Sequence, residues 1–337
     1  MSYNYKNWNS KQKSIMELAT ITQNTTKFYK DVMHGLQAVP KRLDSKYFYD
    51  ERGDELFQQI MNCDEYYLTD CEMGILKTQS ADIASTVFAS EKNFDVIELG
   101  AGDCSKSVYL LRQIFRRNKS FSFFPVDISK HVINLIEEDL PKKVRGLNIK
   151  GLNGEYIEML KKANQLSSKR KLVLFMGSNI GNMNYEQSIA FCKEVRNSLK
   201  PNDYLLIGFD LKKDPQIILN AYNDKKGITR EFNLNLLRRI NTELNADFVI
   251  ENFKHFPVYN PESGECKSYL VSTCKQQVYI GDTDYIVFNE NETIHTEIST
   301  KYSIEQINEL ATLTSFDVVE YFYDEKNWFV DVLWKCV

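Results

Sequence analysis

Apolar and polar positions change rhythm along the chain. Thr25 to Leu36 and LFQQIM (56–61) repeat apolar side chains at helical spacing. Two knots, KYFYDERG and NCDEYYLTD, mix tyrosines with charges beside them. Such tyrosines either wedge between packed helices with their hydroxyls reaching water or belong to a ligand lid, and composition leans towards packing. From near Glu91 short apolar runs alternate with amphipathic ones: FDVIELG (94–100) before SVYLLRQIF, SFSFFPVDIS (120–129) before HVINLIEEDL, and a short strand in LNIKGLNGEY. KLVLFMGSNIGN (171–182) then precedes YEQSIAFCKEVRNSL, and DYLLIGFDL (203–211) closes the series. Strands that are apolar throughout and alternate with helices predict an α/β fold, a parallel sheet covered on both faces. Beyond residue 211, DPQIILNAYNDKKGITREFNLNLLRRINTEL reads as helical. FVIENFKHFPVYN, KSYLVSTCKQQVYI and DYIVFNENETIHTEIS then alternate with period two, as antiparallel strands with one wet face. SIEQINELATLTSF predicts a helix, and FDVVEYFYDEKNWFVDVLWKC a hairpin turning at DEKN.

The bulk properties narrow the function classes. A chain of 337 residues, 43% hydrophobic, can bury one large core or two. Its first 20 or so residues are polar and expected to be partly mobile. With 42 basic and 46 acidic side chains the net charge is −4, so there is no electrostatic case for nucleic acid or an acidic membrane, and the basic clusters RRNKS and SSKRK read as solvated surface. Seven cysteines without CxxC spacing predict free thiols in a reducing, cytoplasmic setting. No signal peptide or bilayer-length apolar run is visible. The four histidines form neither HxxxH nor HExxH, so no metal is expected. A small molecule is the expected partner, and the expected state is a monomer or weak homo-oligomer.

Candidate chemistry gathers where the apolar strands end. The first runs into E-L-G-A-G-D-C-S-K-S, which contains Glu98, Gly100, Gly102 and Lys106. The glycines permit a tight turn and close backbone approach by a ligand, at the strand edge where α/β proteins bind nucleotides. GxGxxG and GxxxxGK[ST] are both absent, which speaks against a dinucleotide and a triphosphate. A plain βα turn remains the alternative. The second strand ends near Asp127, placed to accept two ribose hydroxyls or, equally, to cap the next helix. Gly154, Glu155 and Tyr156 after the third strand suit an adenine frame or an ordinary turn. Gly177 in MGSNIGN lets a ligand approach the fourth strand, and Asn182 there offers both a donor and acceptors to an amino acid's charged ends, or caps the following helix. A nucleoside carrying an amino acid, S-adenosylmethionine (SAM), fits these features better than a dinucleotide does.

The motifs YFYDERGDELFQQI, DEYYLT, VIELGAG, FFPVDIS, LFMGSNIGN, DLKKDPQIILNAYND, GITREFN and HTEIS, with the final tryptophan-containing hairpin, carry a resemblance over residues 25–337. The chain resembles the histidine-specific methyltransferases that form hercynine, the trimethylammonium betaine of histidine, for ergothioneine biosynthesis. The resemblance implies a Rossmann-like class I SAM-dependent methyltransferase sheet with a second, discontinuous α+β substrate-binding domain that closes over an amino acid. The expected limits are 1–65 for the helical part of the substrate domain, 66–211 for the SAM-binding domain, 212–300 for the substrate-binding insertion and 301–337 for the closing helix and hairpin. It also implies that Tyr66, Asn182 and Tyr222 hold the substrate carboxylate, that Tyr49 and a water-linked Thr229 lie near the amine, and that Glu297 and Ser299 bond the imidazole. Tyr49 and Asn182 are the catalytic candidates, Tyr49 as a polar orienter rather than a base. Glu98, Gly100, Gly102, Lys106, Asp127, Glu155, Tyr156 and Gly177 form the expected cofactor set. One position departs from the family pattern: Ser268 stands where the histidine enzymes carry a methionine facing the ring. That leaves the choice of amino acid less fixed than the reaction, with tryptophan or a modified histidine as the alternative. His295, Glu297 and Ser299 share one strand face, and His295 reads as a flank.

Overall fold

The computed structural model describes residues 26–90 and 93–337; the polar segment expected to be mobile lies outside the described residues. The helices are α1 (26–37), α2 (Glu51–Met61), α3 (Tyr67–Ser90), α4 (Ser107–Arg117), α5 (Lys130–Lys143), α6 (Tyr156–Leu166), α7 (Tyr185–Asn197), α8 (Pro215–Ala221), α9 (Ile228–Leu244) and α10 (Ile304–Leu313). The strands are β1 (Lys41–Arg42), β2 (Phe94–Leu99), β3 (Ser122–Asp127), β4 (Asn148–Ile149), β5 (Leu152–Asn153), β6 (Arg170–Phe175), β7 (Tyr204–Asp210), β8 (Phe253–Asn260), β9 (Glu265–Ser272), β10 (Gln276–Ile280), β11 (Asp284–Phe288), β12 (Thr293–Thr300), β13 (Phe316–Tyr323) and β14 (Phe329–Cys336). The chain forms two compact units. The smaller comprises residues to Leu56, Gly227–Pro257 and Lys267–Glu297; the larger comprises Phe57–Lys226, Val258–Cys266 and Ile298–Val337. The chain therefore leaves the larger unit after Lys226, not near residue 211. The cause is α8, whose Ile218 and Ala221, followed by Tyr222, are buried in the larger unit's core.

In the larger unit the sheet order is β13-β14-β7-β6-β2-β3-β4, with β5 also paired to β3. Strands β3, β2, β6 and β7 run parallel, and β14 is antiparallel to both β7 and β13. This is the expected Rossmann-like class I arrangement. The apolar runs become strands because both faces are covered: all residues of β2 and β7 are buried, and a separate apolar cluster lies on each side. Strand order reverses at β2, between β3 and β6, which opens a ligand crevice at their carboxyl ends. The 24-residue α3 packs along α4 and β14. The pattern reading left most of this helix without an element. Its buried side includes Leu68, Ile75, Leu76, Ile83, Ala84 and Val87, but the polar Glu72 and Ser80 are buried among them, so the apolar stripe is interrupted.

In the smaller unit the long helical run expected after residue 211 supplies only α9, because Tyr222–Gly227 interrupts it and Gly227 sits at φ +72°. Strand β1 pairs with β12 through Lys41–Ile294 and Arg42–His295, and β10 pairs with β11. The KYFYDERG knot is largely packing: Tyr47 packs at a tilt against Phe28 and donates to Asp31 at 2.6 Å, and Phe48 is buried against Phe232. Asp50 accepts the Gly53 N–H at 2.6 Å and the Asn235 side-chain N–H at 2.9 Å, which ties the start of α2 to α9.

Candidate active site

The cofactor end of the larger unit starts from the turn after β2. Gly100 sits at φ +74° and donates to Val126 O at 2.9 Å, so the turn is anchored on the neighbouring strand. A Cβ on Gly100 would come within 2.8 Å of Asn179 Nδ2 and 3.0 Å of Tyr156 Oη. Gly177, at φ +74°, faces Lys106 Nζ and Asn179 Nδ2 at 3.5 and 3.6 Å from its would-be Cβ. Glycine backbone, Asn179, Lys106 and the Tyr156 hydroxyl therefore converge at the crevice. Asp127, half-buried at the end of β3, accepts Ser129 N–H at 2.9 Å and Gly102 N–H at 3.2 Å. Burial raises its pKa, and those backbone donors act in the opposite direction. Tyr156 packs edge-on against Phe175 and Phe191, and its phenol is raised by burial and then by Asp127. Glu155 is exposed beside it. Glu98 lies deeper, 3% exposed, with Cys104 Sγ 3.7 Å from Oε2. Burial pushes Glu98 up to about 8, so it supports the loop from below as a neutral acid at neutral pH.

Glu72, from α3, reaches this loop from the far side. One of its oxygens accepts Gly177 N–H at 2.6 Å, and the other is ion-paired with Lys106. Burial alone would lower the Lys106 ammonium, but the Glu72 carboxylate outweighs it and holds the group above its ordinary value. Asp331 is buried on the same side and is raised well above the carboxylate range by burial, then by Glu72. Gly208 leaves the space that Glu72 and Asp331 occupy. With its charge met by Glu72, Lys106 is not the free cation that a phosphate site requires.

The amino-acid candidates of the larger unit adjoin a buried polar network. The half-buried Tyr66 ring stands edge-on to Tyr222 at 6.4 Å. Tyr222 Oη donates to Ser299 Oγ at 2.6 Å. Lys301, fully buried, donates to Tyr222 Oη and Ser299 Oγ at 2.8 Å each and pairs with Asp210 Oδ2 at 2.7 Å. Asp210 is shared with Lys213 and accepts the Tyr67 hydroxyl at 2.8 Å. The backbone sets this up: Tyr302 N donates to Asp210 O at 2.9 Å, which brings Lys301 beside the carboxylate. Asn182 is exposed at the end of a 3-10 turn, and Asn184, not Asn182, caps α7 in a full capping box.

In the smaller unit, Ser268 Oγ donates to Glu297 Oε2 at 3.2 Å and lies 3.2 Å from His255 Nε2. These three residues come from the neighbouring strands β12, β9 and β8. Ser268 is 1% exposed and Glu297 half-buried. Tyr49 is half-buried and edge-on to Phe232 at 6.0 Å, and Thr229 is buried in the first turn of α9. His295 packs against the Tyr269 ring at 5.4 Å.

A family model for histidine-specific, SAM-dependent methyltransferases matches residues 28–336. The chain belongs to that family. It is 33% identical over 297 residues to the histidine N-alpha-methyltransferase of Mycobacterium tuberculosis, across 88% of this chain and 91% of the relative. It is 32% identical to the ergothioneine biosynthesis protein 1 of Neurospora crassa, across 83% of this chain and 32% of that longer protein. Among solved structures, the magnesium protoporphyrin IX methyltransferase of Synechocystis PCC 6803 aligns at a TM-score of 0.44 and 11% identity, over 87% of this chain and 98% of that one. Family membership makes the chain a SAM-dependent methyltransferase, and two features of its crevice suit that molecule. The glycine turn leaves room for close backbone approach, and a half-buried acid ends the second strand. Among the described residues no group of His, Cys, Asp and Glu is placed to hold a metal, and no helix is long and apolar enough to cross a membrane.

Sequence reasoning missed Glu72, Asn179, Asp210, His255 and Lys301. Asn179 lies inside the quoted MGSNIGN, and Lys301 two positions after Ser299, continuing the alternation of His295, Glu297 and Ser299. Asp210 sat in DYLLIGFDL, read only for its apolar pattern, and Glu72 in a stretch assigned to no element, so nothing local marked either.

Proposed function

We propose that this methyltransferase methylates the α-amino group of L-histidine in successive transfers, giving N-alpha,N-alpha,N-alpha-trimethylhistidine. The observation that carries the reading is Glu297, a half-buried carboxylate held by the Ser268 hydroxyl and two positions before Ser299 on β12. An acceptor and a hydroxyl at that spacing suit the two nitrogens of an imidazole. The family match and the histidine N-alpha-methyltransferase among the relatives support it.

SAM supplies an activated methyl on a sulfonium when bound. Asp127 accepts its ribose hydroxyls, and Gly100, Gly102 and Gly177 let it approach the backbone. Lys106, Glu155 and Tyr156 complete the set. The chain's remaining task is alignment of the acceptor and exclusion of water. An α-ammonium has no lone pair and is repelled by a neighbouring cation, so the neutral amine is the form that reacts. Its proton passes to water, with Tyr49 and the water-linked Thr229 orienting the nitrogen. Each transfer removes an N–H donor, so the substrate must be held by its other ends. Tyr66 and Asn182 hold the carboxylate, Tyr222 lines that end with its hydroxyl spent on Ser299, and Glu297 and Ser299 hold the ring.

Glu297→Ala removes a charged hydrogen-bond acceptor and is expected to lower kcat/KM for histidine by about 10–100-fold, with SAM affinity by calorimetry within about threefold of wild type. Unchanged histidine kinetics would remove Glu297 from the site. The same chemistry on another amino acid, such as tryptophan or a modified histidine, is favoured by one observation: Ser268 and His255 give the wall beside Glu297 a small, polar character.

A further inference from the structure

Lys301 is the one lysine with a fully buried side chain among the ion pairs of the described residues, and the proposed reaction leaves it without a role. Its ammonium has three protons, and all three are committed: to Asp210 Oδ2, Tyr222 Oη and Ser299 Oγ at 2.7, 2.8 and 2.8 Å. It also lies 4.6 Å from the centroid of the Tyr222 ring. Asp210 is held in turn by Lys213 and by the Tyr67 hydroxyl, so the anchor behind Lys301 is itself fixed.

The consequence lies in the proton count at the two hydroxyls. Ser299 Oγ accepts from Lys301 and from Tyr222. A hydroxyl oxygen has two lone pairs, so both are used, and the Ser299 proton must point away from both partners. Tyr222 spends its own proton on Ser299. The pair therefore exports a single donor, the Ser299 O–H. The ammonium sharpens that donor, because hydrogen bonds in a dry network polarise one another. Without Lys301 one lone pair of Ser299 Oγ is released, and Ser299 could then accept from a ring N–H while still bonded to Tyr222.

We infer that Lys301, clamped by Asp210, is a positioning residue that fixes Ser299 as a hydrogen-bond donor, so that the enzyme selects a substrate ring presenting a bare, unprotonated nitrogen. This rests on the proposed function and specifies its substrate form: a neutral imidazole, with Ser299 donating to the bare nitrogen. Lys301 does this without touching the substrate, which keeps an ammonium away from an amine that becomes a permanent cation.

The test is a double-mutant cycle with a substrate comparison. Histidine affinity is measured by calorimetry on the enzyme loaded with S-adenosylhomocysteine, for wild type, Lys301→Met, Ser299→Ala and the double variant. Each single variant is expected to weaken histidine binding about 10–100-fold, chiefly as a rise in KM for histidine. The double variant should be no more than about threefold weaker than Ser299→Ala, because Lys301 acts through Ser299. S-adenosylhomocysteine affinity reports that the fold is kept. If Lys301→Met loses it, Lys301→Gln replaces it under the same criterion. Independently of any change at Lys301, β-(2-thienyl)-L-alanine, whose ring has no nitrogen, should bind Ser299→Ala within about threefold of wild type. Additive losses in the cycle, or an equal loss for the thienyl compound, overturn the inference. If wild type methylates a different amino acid and not histidine, the proposed function fails instead, and the cycle is read on that amino acid.

Discussion

Glu98 shows how a single residue ties cofactor loop to stability. Its carboxyl is raised by burial to about 8 from an ordinary value of 4.5. Between those pH values the native chain keeps a proton that the unfolded chain has lost, so stability falls as pH rises. Glu98's contribution is full below about pH 4.5 and is lost progressively as pH climbs through about 8. Thermal melts of the SAM-free enzyme across that window should show Tm declining, and Glu98→Gln, which cannot ionise, should flatten the decline. A slope unchanged by Glu98→Gln would show that the proton is held elsewhere. Legibility at this scale followed distance along the chain. That Glu297 and Ser299 share a strand face could be read from their spacing of two, whereas the role expected of them came only from the family resemblance. Glu72 could not, because its partners Lys106 and Gly177 lie 34 and 105 positions away. Lys301 stood in plain view beside Ser299, yet its meaning depends on Asp210, which only the pairing of distant segments supplies.

Among the elements, the βα turn after β2 carries the sharpest requirement. Gly100 needs a positive φ and has no room for a Cβ beside Asn179 and Tyr156. Gly100→Ala should weaken SAM binding at least about tenfold, from backbone strain and a displaced Asn179. Gly74 in α3 is the control, since a Cβ there meets nothing within 4 Å; Gly74→Ala should leave SAM affinity alone and stabilise by about 0.5–1 kcal/mol. Calorimetry and melts on the two variants check both. Equal SAM affinity for Gly100→Ala and wild type would contradict the turn's role. The parallel strands were legible because burial on both faces makes them apolar runs. Strands β4 and β5, two residues each, were read as one short strand, since neither is long enough to set up a pattern. The helix α3 escaped because the buried polar residues Glu72 and Ser80 interrupt its apolar stripe.

At the scale of the whole molecule, the α/β alternation, the closing hairpin and a second, discontinuous unit were all visible as changes of period. The limits between the units were less so, because compactness depends on which core a helix joins, and α8 joins the sheet's core through Ile218 and Ala221. The family match over residues 28–336 identifies the reaction as SAM-dependent methyl transfer, and the choice of acceptor is the claim on which the rest turns. It is tested most directly by incubating the full chain with SAM and each of the twenty amino acids in turn and reading methyl addition by mass spectrometry. The account predicts mono-, di- and trimethylated product from L-histidine, ending as the trimethyl form. Methylation of another amino acid, with histidine returned unchanged, would contradict it.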